Sequence, residues 1–268
     1  MSIGGAATVA GSAMAIALIA LGPAAVGLSS VGHPAGFASG AHVVPRTTSA
    51  AGSSNWGGYA VSTSNNAVSD VKGAWVVPHF KGACGGLYNF SAASFWVGID
   101  GWSDTTVEQI GTSVECNSVL YISAVTYFAW YEFYPSAPVA LAMTISPGDQ
   151  VKAEVKYTSS AGFTVSIKDV TTGSSFSTSK SVSANRSSAE WIAEAPSSTS
   201  GVLPLVDFAK VSFTGCTATV SGSSHPVSYY SNYAVTMWNT AGTAKKATPS
   251  ALGPLGTGFS VTWVRYGP

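Results

Sequence analysis

Charged side chains are scarce in this chain. Only 9% of its 268 residues are Asp, Glu, Lys or Arg, and 12 basic residues balance 12 acidic ones. A chain with no net charge has no overall attraction for nucleic acid or an anionic membrane surface, so we expect neither as a partner. Disorder is also excluded, because 8 Trp, 11 Tyr and 11 Phe can bury a large apolar surface.

The signatures of common hydrolases and metal sites are also missing. The sequence contains no GxSxG, HExxH, CxxC or Gly-rich phosphate loop. Its four histidines lack the spacing of metal ligands, so we expect no zinc site. A thiol mechanism would pair Cys116 or Cys216 with His79 or His225, but each of these histidines adjoins a proline in a predicted loop, which disfavours it.

Only one long apolar run is present, Ala13–Leu28. A Gly-Pro pair interrupts this run, which is shorter than the roughly 20 residues of a membrane-spanning helix. It predicts a signal peptide over 1–28, although no charged residue precedes Arg46, and a buried N-terminal helix is the alternative. Residues 29–52 show no periodicity and are predicted to be a short propeptide or linker. We therefore expect a secreted protein that keeps no membrane anchor after cleavage.

The three cysteines fit an exported protein with one disulfide and one unpaired thiol. Cys84 and Cys116 flank the same strand-rich stretch, so we predict that they pair. Cys216 is then left free.

Strand periodicity dominates the chain after Ser53. Apolar and polar residues alternate over Gln150–Tyr157 and Phe163–Lys168, and a Thr-Thr-Gly turn leads on to Ser175–Val182. Further predicted strands are Gly73–Val77, Ser94–Ile99, Val119–Tyr134, Ala189–Ala193, Ala209–Thr214, Ala234–Asn239 and Phe259–Arg265. No segment keeps a 3.6-residue period, so residues 53–268 are predicted to form one all-β sandwich or barrel.

The twelve carboxylates divide into two groups by their surroundings. Asp149, Glu154 and Asp169 lie in turns or on the polar side of a strand and are predicted to be solvated. Asp100 in SFWVGIDGW, Glu132 in AWYEFYP and Glu190 in SAEWIAEAP stand among aromatic and apolar residues instead. A carboxylate in such surroundings needs hydrogen bonds or lines a cleft, which makes these three the candidates for function.

Alternation along the strands places carboxylates beside aromatic rings. Trp96 shares a face with Asp100, and Trp130 shares one with Glu132 and Tyr134. Such faces suggest a groove for an extended polymer, for which peptide and polysaccharide are equally suitable. A structural polar network inside the sandwich is the alternative.

Glu190 and Glu194 also share a face. Four residues at a rise of about 3.3 Å separate them by roughly 13 Å, beyond the ~5–9.5 Å between the carboxylates of glycosidases. The two residues therefore do not form a glycosidase pair.

Nine segments, in order along the chain, resemble the motifs of one known protein family. They are SNWGGYAV (54–61), VKGAWVVP (71–78), SFWVGIDGW (94–102), VEQIGTSVEC (107–116), AWYEFYP (129–135), ISPGDQVKAEV (145–155), AEWIAEAP (189–196), LVDFAKVSFT (205–214) and FSVTWV (259–264). Together they span almost the whole predicted mature domain, and they resemble the glutamic peptidases called eqolisins.

This resemblance implies a β-sandwich of two antiparallel sheets, similar in shape to concanavalin and other legume lectins, with a substrate groove on one face. It implies a catalytic pair formed by Glu190 of the AEW segment and by Gln109, which would precede a turn after the WVGIDG strand.

The resemblance also assigns residues to the groove and partners to the protein. The residues expected to line or brace the groove and bind substrate are Trp96, Asp100, Trp130, Tyr131 and Glu132. Polypeptides are the expected substrates, no metal or cofactor is needed, and a monomer is expected.

The two implied catalytic side chains are chemically suited to amide hydrolysis. An ionised Glu190 can take a proton from water and then return it to the departing amine, while the Gln109 amide can hold the water and the oxyanion. Because a free Glu has a pKa of about 4.3, such a site can work at acidic pH.

Two departures from the fungal members concern the acidity of the protein. Phe128 stands where those members tend to have Asp. Those members also combine a basic propeptide with a very acidic mature enzyme, whereas residues 29–52 of this chain contain one basic residue, Arg46, and the predicted mature domain is not acidic overall. The alternative hypothesis is a non-catalytic sandwich that binds glycans or peptides through the same aromatic face.

Overall fold

The computed structural model describes residues 43–45, 50–82, 84, 88–120 and 122–267, and β-strands supply almost all of their regular structure. The only helical element in these ranges is one 3-10 turn, Val227–Tyr229. The strands are β1 (Val43–Pro45), β2 (Ala50–Ser53), β3 (Trp56–Ser62), β4 (Val68–Val76), β5 (Tyr88–Ile99), β6 (Val107–Val119), β7 (Ile122–Tyr134), β8 (Val139–Thr144), β9 (Gln150–Thr158), β10 (Gly162–Asp169), β11 (Ser175–Lys180), β12 (Ser188–Glu194), β13 (Ser197–Ser198), β14 (Gly201–Val202), β15 (Lys210–Val220), β16 (Ser223–Pro226), β17 (Asn232–Trp238), β18 (Lys245–Pro249) and β19 (Phe259–Trp263).

The pairing of the long strands defines two layers. The first layer has the antiparallel order β8-β7-β6-β5-β12-β3-β17, and β2 adds to β17 in parallel. The second layer has the antiparallel order β11-β10-β9-β4-β15-β19-β18. A β17–β18 pairing connects the layers at one side, and β13 and β14 form a separate small sheet. The predicted all-β sandwich is therefore confirmed.

The main core lies between the two layers. Trp191 of β12 crosses it and donates a hydrogen bond from Nε1 to the backbone oxygen of Lys72 in β4, over 2.6 Å. Gly73 gives the ring its space, since a Cβ there would lie 2.9 Å from both the Trp191 ring and a Val97 methyl. Trp75 of β4 similarly donates to the Thr112 hydroxyl of β6 over 2.9 Å. These contacts fix the position of one layer over the other.

The predicted hairpin and most of the predicted strands are confirmed. Residues 150–182 form β9, β10 and β11, with Val165 opposite Val155 across the first turn. Among the strands of six or more residues, the prediction missed β3, β6 and β8, and it also missed the short strands β1, β2, β13, β14, β16 and β18. Strand β6 gave no alternating signal, because its first eight residues are all buried. Gln109 accordingly lies inside this 13-residue strand and not before a turn, which corrects the expectation for its local structure.

Two carboxylates that were predicted to be solvated are buried, so that prediction was wrong. Asp149 is 7% exposed and accepts a hydrogen bond from the Ser146 amide over 2.7 Å. Asp169 is fully buried and accepts from the Thr171 amide at 2.8 Å and the Thr172 hydroxyl at 2.6 Å. The turns fold their own amide and hydroxyl groups around the carboxylates, which replaces the lost water.

Part of the predicted propeptide or linker pairs with the sandwich. Residues 43–45 pair antiparallel with β2, and β2 pairs in parallel with β17, from Ala50 opposite Ala234 to Ser53 opposite Met237. The signal peptide predicted over 1–28 lies outside the described residues, and the processing boundaries stay predictions.

The cysteine pairing is confirmed. Cys84 and Cys116 form a disulfide with their Cα atoms 5.2 Å apart, and Cys216 is an unpaired, buried thiol. Within the described ranges, no helix has the length and apolar character needed to cross a membrane.

Candidate active site

A row of residues across five neighbouring strands forms the centre of the candidate site. Strand register places Glu132 of β7 opposite Gln109 of β6, Gln109 opposite Gly98 of β5, Gly98 opposite Glu190 of β12, and Glu190 opposite Ala60 of β3. Residues opposite one another in a sheet point to the same face. This is the face of the first layer that points away from the second layer.

Gly98 separates the two predicted catalytic side chains. Two strand spacings of about 4.8 Å place the backbones of Glu190 and Gln109 roughly 10 Å apart. A Cβ on Gly98 would lie 2.9 Å from the Trp96 ring and 3.3 Å from the Gln109 Cβ, so only glycine fits there without displacing a neighbour. The missing side chain leaves a gap into which Glu190 and Gln109 can both reach.

Gln109 is held by a neighbouring carboxyl group. Its Nε2 donates a hydrogen bond to Glu132 Oε2 over 2.7 Å, and both side chains are buried. Because the amide nitrogen carries two hydrogens, Glu132 orients the group while occupying only one of them. The structure thus brings these two predicted site residues into direct contact.

Glu190 is fully buried, and its environment is acidic. Burial raises the pKa of its carboxyl group well above the usual value, and the neighbouring acidic groups of Asp100, Asp104 and Glu108 raise it further. The Ser188 hydroxyl, two residues earlier on the same strand face, acts in the opposite direction. In the free protein Glu190 is therefore protonated over a wider range of pH than an ordinary glutamate.

Asp100 braces the segment that leads into β12. Its Oδ2 accepts a hydrogen bond from the Arg186 amide at 2.6 Å, and its Oδ1 accepts from the Ser187 amide at 2.7 Å. Burial raises the pKa of Asp100 to about 6, against the lowering effect of these two hydrogen bonds. Asp100 has a positive φ of 72°, so it stands outside the alternation predicted for its strand. Its contacts fix the chain just before Glu190.

Glu194 forms a second buried carboxyl position on the same strand face as Glu190. Its Oε2 accepts a hydrogen bond from Trp96 Nε1 over 2.8 Å, and its Oε1 accepts from Asn55 Nδ2 over 3.3 Å. Burial raises the pKa of Glu194 to about 8. Glu194 therefore holds the ring that lies over Gly98. From the sequence, Glu194 served only to exclude a glycosidase pair. Its hydrogen bond with Trp96 could not be predicted there, because the register between β5 and β12 was unknown.

The two remaining predicted groove residues lie on opposite faces of β7. Trp130 is two residues before Glu132 on β7, so it points to the site face. It lies opposite Gly111 and is 6% exposed. Tyr131 points to the other side of the strand, where its ring stacks on Phe176 with a centroid distance of 5.5 Å. The structure thus places Trp130 with the site row and Tyr131 apart from it, and substrate binding by each stays a prediction.

The disfavoured thiol mechanism has no support in the structure. Cys116 is in the disulfide, and burial strongly raises the pKa of the Cys216 thiol. Neither sulfur can readily become the thiolate that such a mechanism requires.

Comparison with known proteins assigns the family. The family model of the peptidase A4 family matches residues 54–253, which is most of the chain. This chain belongs to the peptidase A4 family. The matched region contains the whole Glu132–Gln109–Gly98–Glu190–Ala60 row.

Two curated relatives of this peptidase A4 chain come from fungi. It is 30% identical over 198 residues to aspergillopepsin-2 of Aspergillus niger, a match covering 66% of this chain and 68% of that protein. It is 33% identical over 184 residues to scytalidopepsin B of Scytalidium lignicola, covering 64% of this chain and 65% of that protein. The chain thus spans about two thirds of the length of these relatives.

Solved structures show the same fold. A crystal structure of scytalido-glutamic peptidase with a transition state analog inhibitor aligns with a TM-score of 0.64 and 28% identity, over 79% of this chain and 98% of that one. The aspergilloglutamic peptidase of Aspergillus niger aligns with a TM-score of 0.55 and 30% identity, over 65% of this chain and 99% of that one. The resemblance to the glutamic peptidases is confirmed, and this peptidase A4 chain is a peptide hydrolase.

Proposed function

We propose that this peptidase A4 chain is a secreted endopeptidase in which Glu190 and Gln109 form the catalytic pair. The observation that carries the proposal is their placement in one row, on either side of Gly98. A peptide carbonyl lying over Gly98 would meet the carboxyl group of Glu190 from one side and the amide of Gln109 from the other. The site side chains lie in a buried, low-dielectric surrounding, which strengthens such polar contacts.

The proposed reaction begins with a water molecule bound between the two side chains. Glu190, in its ionised form, takes a proton from this water as its oxygen attacks the carbonyl carbon. The Gln109 amide donates a hydrogen bond to the oxyanion, and Glu132 keeps that amide oriented. Glu190 then passes the proton to the departing nitrogen, so the carboxylate is regenerated and the C–N bond breaks.

Substrate binding is proposed for the aromatic face around this row. Trp96 and Trp130 lie on the site face, each two residues along its strand from the row. The hydrogen bond to Glu194 holds the Trp96 ring in place. One structural relative is in a complex with a tripeptide, Ala-Ile-His, and aligns with a TM-score of 0.62 and 27% identity over 79% of this chain and 98% of that one. An extended polypeptide is therefore the proposed substrate of this chain.

The proposed working range is mildly acidic. Glu190 must ionise to act as a base, and its raised pKa moves the lower limit of activity above the ordinary glutamate range. At higher pH, ionisation of other buried carboxyl groups disfavours the fold, since burial raises the pKa of Glu194 to about 8 and that of Glu108 to about 9.

The test compares variants in hydrolysis of denatured casein between pH 3 and 7. Glu190→Gln keeps the shape of the side chain but removes the base, so we expect activity to fall at least about a thousandfold. Gln109→Ala removes the hydrogen-bond donor to the oxyanion, so we expect activity to fall about 100-fold to 1,000-fold. Glu154→Gln, in the second layer, is the matched control and should retain activity. Full activity in either site variant refutes the pair. Peptide binding with no hydrolysis by the wild type favours the non-catalytic alternative.

A further inference from the structure

The balanced charge of the sequence is divided unequally between the interior and the surface. Eight of the twelve acidic side chains are buried, whereas the only buried basic side chain in the described part of the chain is Lys246. The buried acids are Asp70, Asp100, Glu108, Glu132, Asp149, Asp169, Glu190 and Glu194. Several of them are uncharged at acidic pH because burial raises their pKa, as at Glu108 and Glu194. The solvent-exposed surface therefore carries more positive than negative charge, which the net charge conceals.

Four exposed lysines lie on one face of the second layer. Lys72 is on β4, Lys152 and Lys156 are on β9, and Lys168 is on β10. The residues between them, such as Val155, point into the core, so the lysines point to the outer face. This face is on the opposite side of the sandwich from Glu190.

The acidic groups on this face are already engaged by one lysine. Lys72 Nζ lies 3.0 Å from Asp70 Oδ2 and 3.2 Å from Glu154 Oε1. Lys152 and Lys168 are directly opposite each other in the β9–β10 register, and no described carboxylate is within ion-pair distance of either. Like charges directly opposite across strands are destabilising, so an anion between these two lysines would relieve a cost present in the free protein.

The same face has an open depression of about 640 Å3. Lys72, Lys152 and Lys168 line it, together with Glu154, which is paired with Lys72. The other polar groups of the lining are the hydroxyls of Ser166, Ser175, Ser177 and Thr214. The only aromatic side chain in the lining is Phe176, whose ring is already stacked on Tyr131. Single-stranded nucleic acid is normally held by free aromatic rings, so a hydroxyl-rich lining fits a sugar polymer better.

We propose that this face, defined by Lys72, Lys152, Lys156 and Lys168, binds an acidic polysaccharide. Carboxylate or sulfate groups of the polymer would bind between Lys152 and Lys168, and sugar hydroxyls would contact the surrounding Ser and Thr side chains. Because the face lies on the far side of the sandwich, a bound polymer leaves the Glu190 face open.

The test measures binding of the full chain to polygalacturonate and to dextran sulfate by isothermal titration calorimetry at pH 5, with neutral dextran as the reference. We expect at least one charged polymer to bind, with an affinity that falls as salt increases, because binding releases counterions. Polygalacturonate alone identifies a carboxylate ligand, and dextran sulfate alone identifies a sulfate ligand. The paired variant Lys152→Gln/Lys168→Gln should weaken binding about tenfold or more.

Two controls make the result specific. Lys81→Gln/Lys245→Gln removes the same charge from exposed positions outside this face and should change affinity less than about threefold. Casein hydrolysis by Lys152→Gln/Lys168→Gln should equal that of the wild type, which separates this proposal from the proposed catalysis. The proposal is overturned if neither charged polymer binds, if the two paired variants weaken binding equally, or if single-stranded DNA binds this face more tightly than either polymer.

Discussion

At the scale of single residues, the candidate site depends on a glycine, which has no side chain to fill the space between its neighbours. Gly98 stands between Glu190 and Gln109, and the neighbouring contacts leave no room for a methyl group. The carboxyl and amide groups are large enough to meet over it, and Glu132 and Glu194 hold the groups on either side. The proposed catalytic pair lies on non-adjacent strands and requires such a gap, because a side chain between the two residues would fill the proposed position of the substrate.

Gly98→Ala tests this gap. The added Cβ would contact the Trp96 ring at 2.9 Å, so we expect a loss of about 1–3 kcal/mol in stability and at least a tenfold fall in kcat/KM on a peptide substrate. Circular dichroism and thermal unfolding would show that the variant is folded. Gly253→Ala is the control, because a Cβ there has no neighbour closer than 3.5 Å and activity should be retained. Unchanged kcat/KM in folded Gly98→Ala would contradict the role of the gap.

At the scale of elements, β6 and β12 carry the proposed catalytic pair and β5 separates them. Strand β12 is buried along its whole length and paired on both sides, so Glu190 is supported by a rigid strand. Asp100 accepts hydrogen bonds from the backbone amides of Arg186 and Ser187, the two residues before β12, and so holds the start of the strand in place. Strand β2 lies at the edge of the same layer. It pairs with β17, and its Ala51 side chain is buried.

The contribution of β2 can be measured by comparing a chain of residues 43–268 with one of residues 53–268. The shorter chain loses the parallel pairing of Ala50–Gly52 with β17, so we expect it to be about 2–3 kcal/mol less stable and to unfold roughly 4–10 °C lower. Differential scanning calorimetry makes the comparison. Equal unfolding temperatures would show that β2 adds nothing and would support a mature domain that starts at residue 53.

At the scale of the whole molecule, the distribution of carboxyl groups links stability to pH. Burial raises the pKa of Asp100 to about 6, Glu115 to about 7, Glu194 to about 8 and Glu108 to about 9. In the unfolded chain these groups ionise near pH 4, so between pH 4 and these values the native state binds more protons. Their contribution to stability is therefore fully present below about pH 4 and is lost as pH rises through 6 to 9.

We accordingly expect the free energy of unfolding to be higher at pH 4.5 than at pH 8. The slope is about 1.4 kcal/mol per pH unit for each carboxyl group that is protonated only in the native state. Urea unfolding followed by Trp fluorescence at several pH values would measure it. Glu115→Gln stays neutral at all pH values and should remove the part of the slope between pH 4 and 7 that Glu115 causes. Equal or greater stability of the wild type at pH 8 would contradict this account.

The strand character, the cysteine pairing and the family resemblance could all be predicted from the sequence. Alternation in Gln150–Tyr157 and Phe163–Lys168 predicted β9 and β10 because each of these strands has one core face and one solvent face. It failed for β6, where the first eight residues are buried and the local pattern has no period. The carboxylates among aromatic residues pointed to Glu190 and Glu132 because charged groups rarely occupy such surroundings without a role.

The tertiary structure alone decided which side chains meet. Glu132, Gln109, Gly98 and Glu190 come from four segments of the chain, and only the pairing of distant strands places them in one row. It also decided that most carboxyl groups are inside and most lysines outside, which a balanced composition does not reveal. The physical reason is the same in both cases. Register, burial and the resulting electrostatics arise from contacts between residues far apart in sequence, whereas alternation and turn chemistry are properties of neighbouring residues.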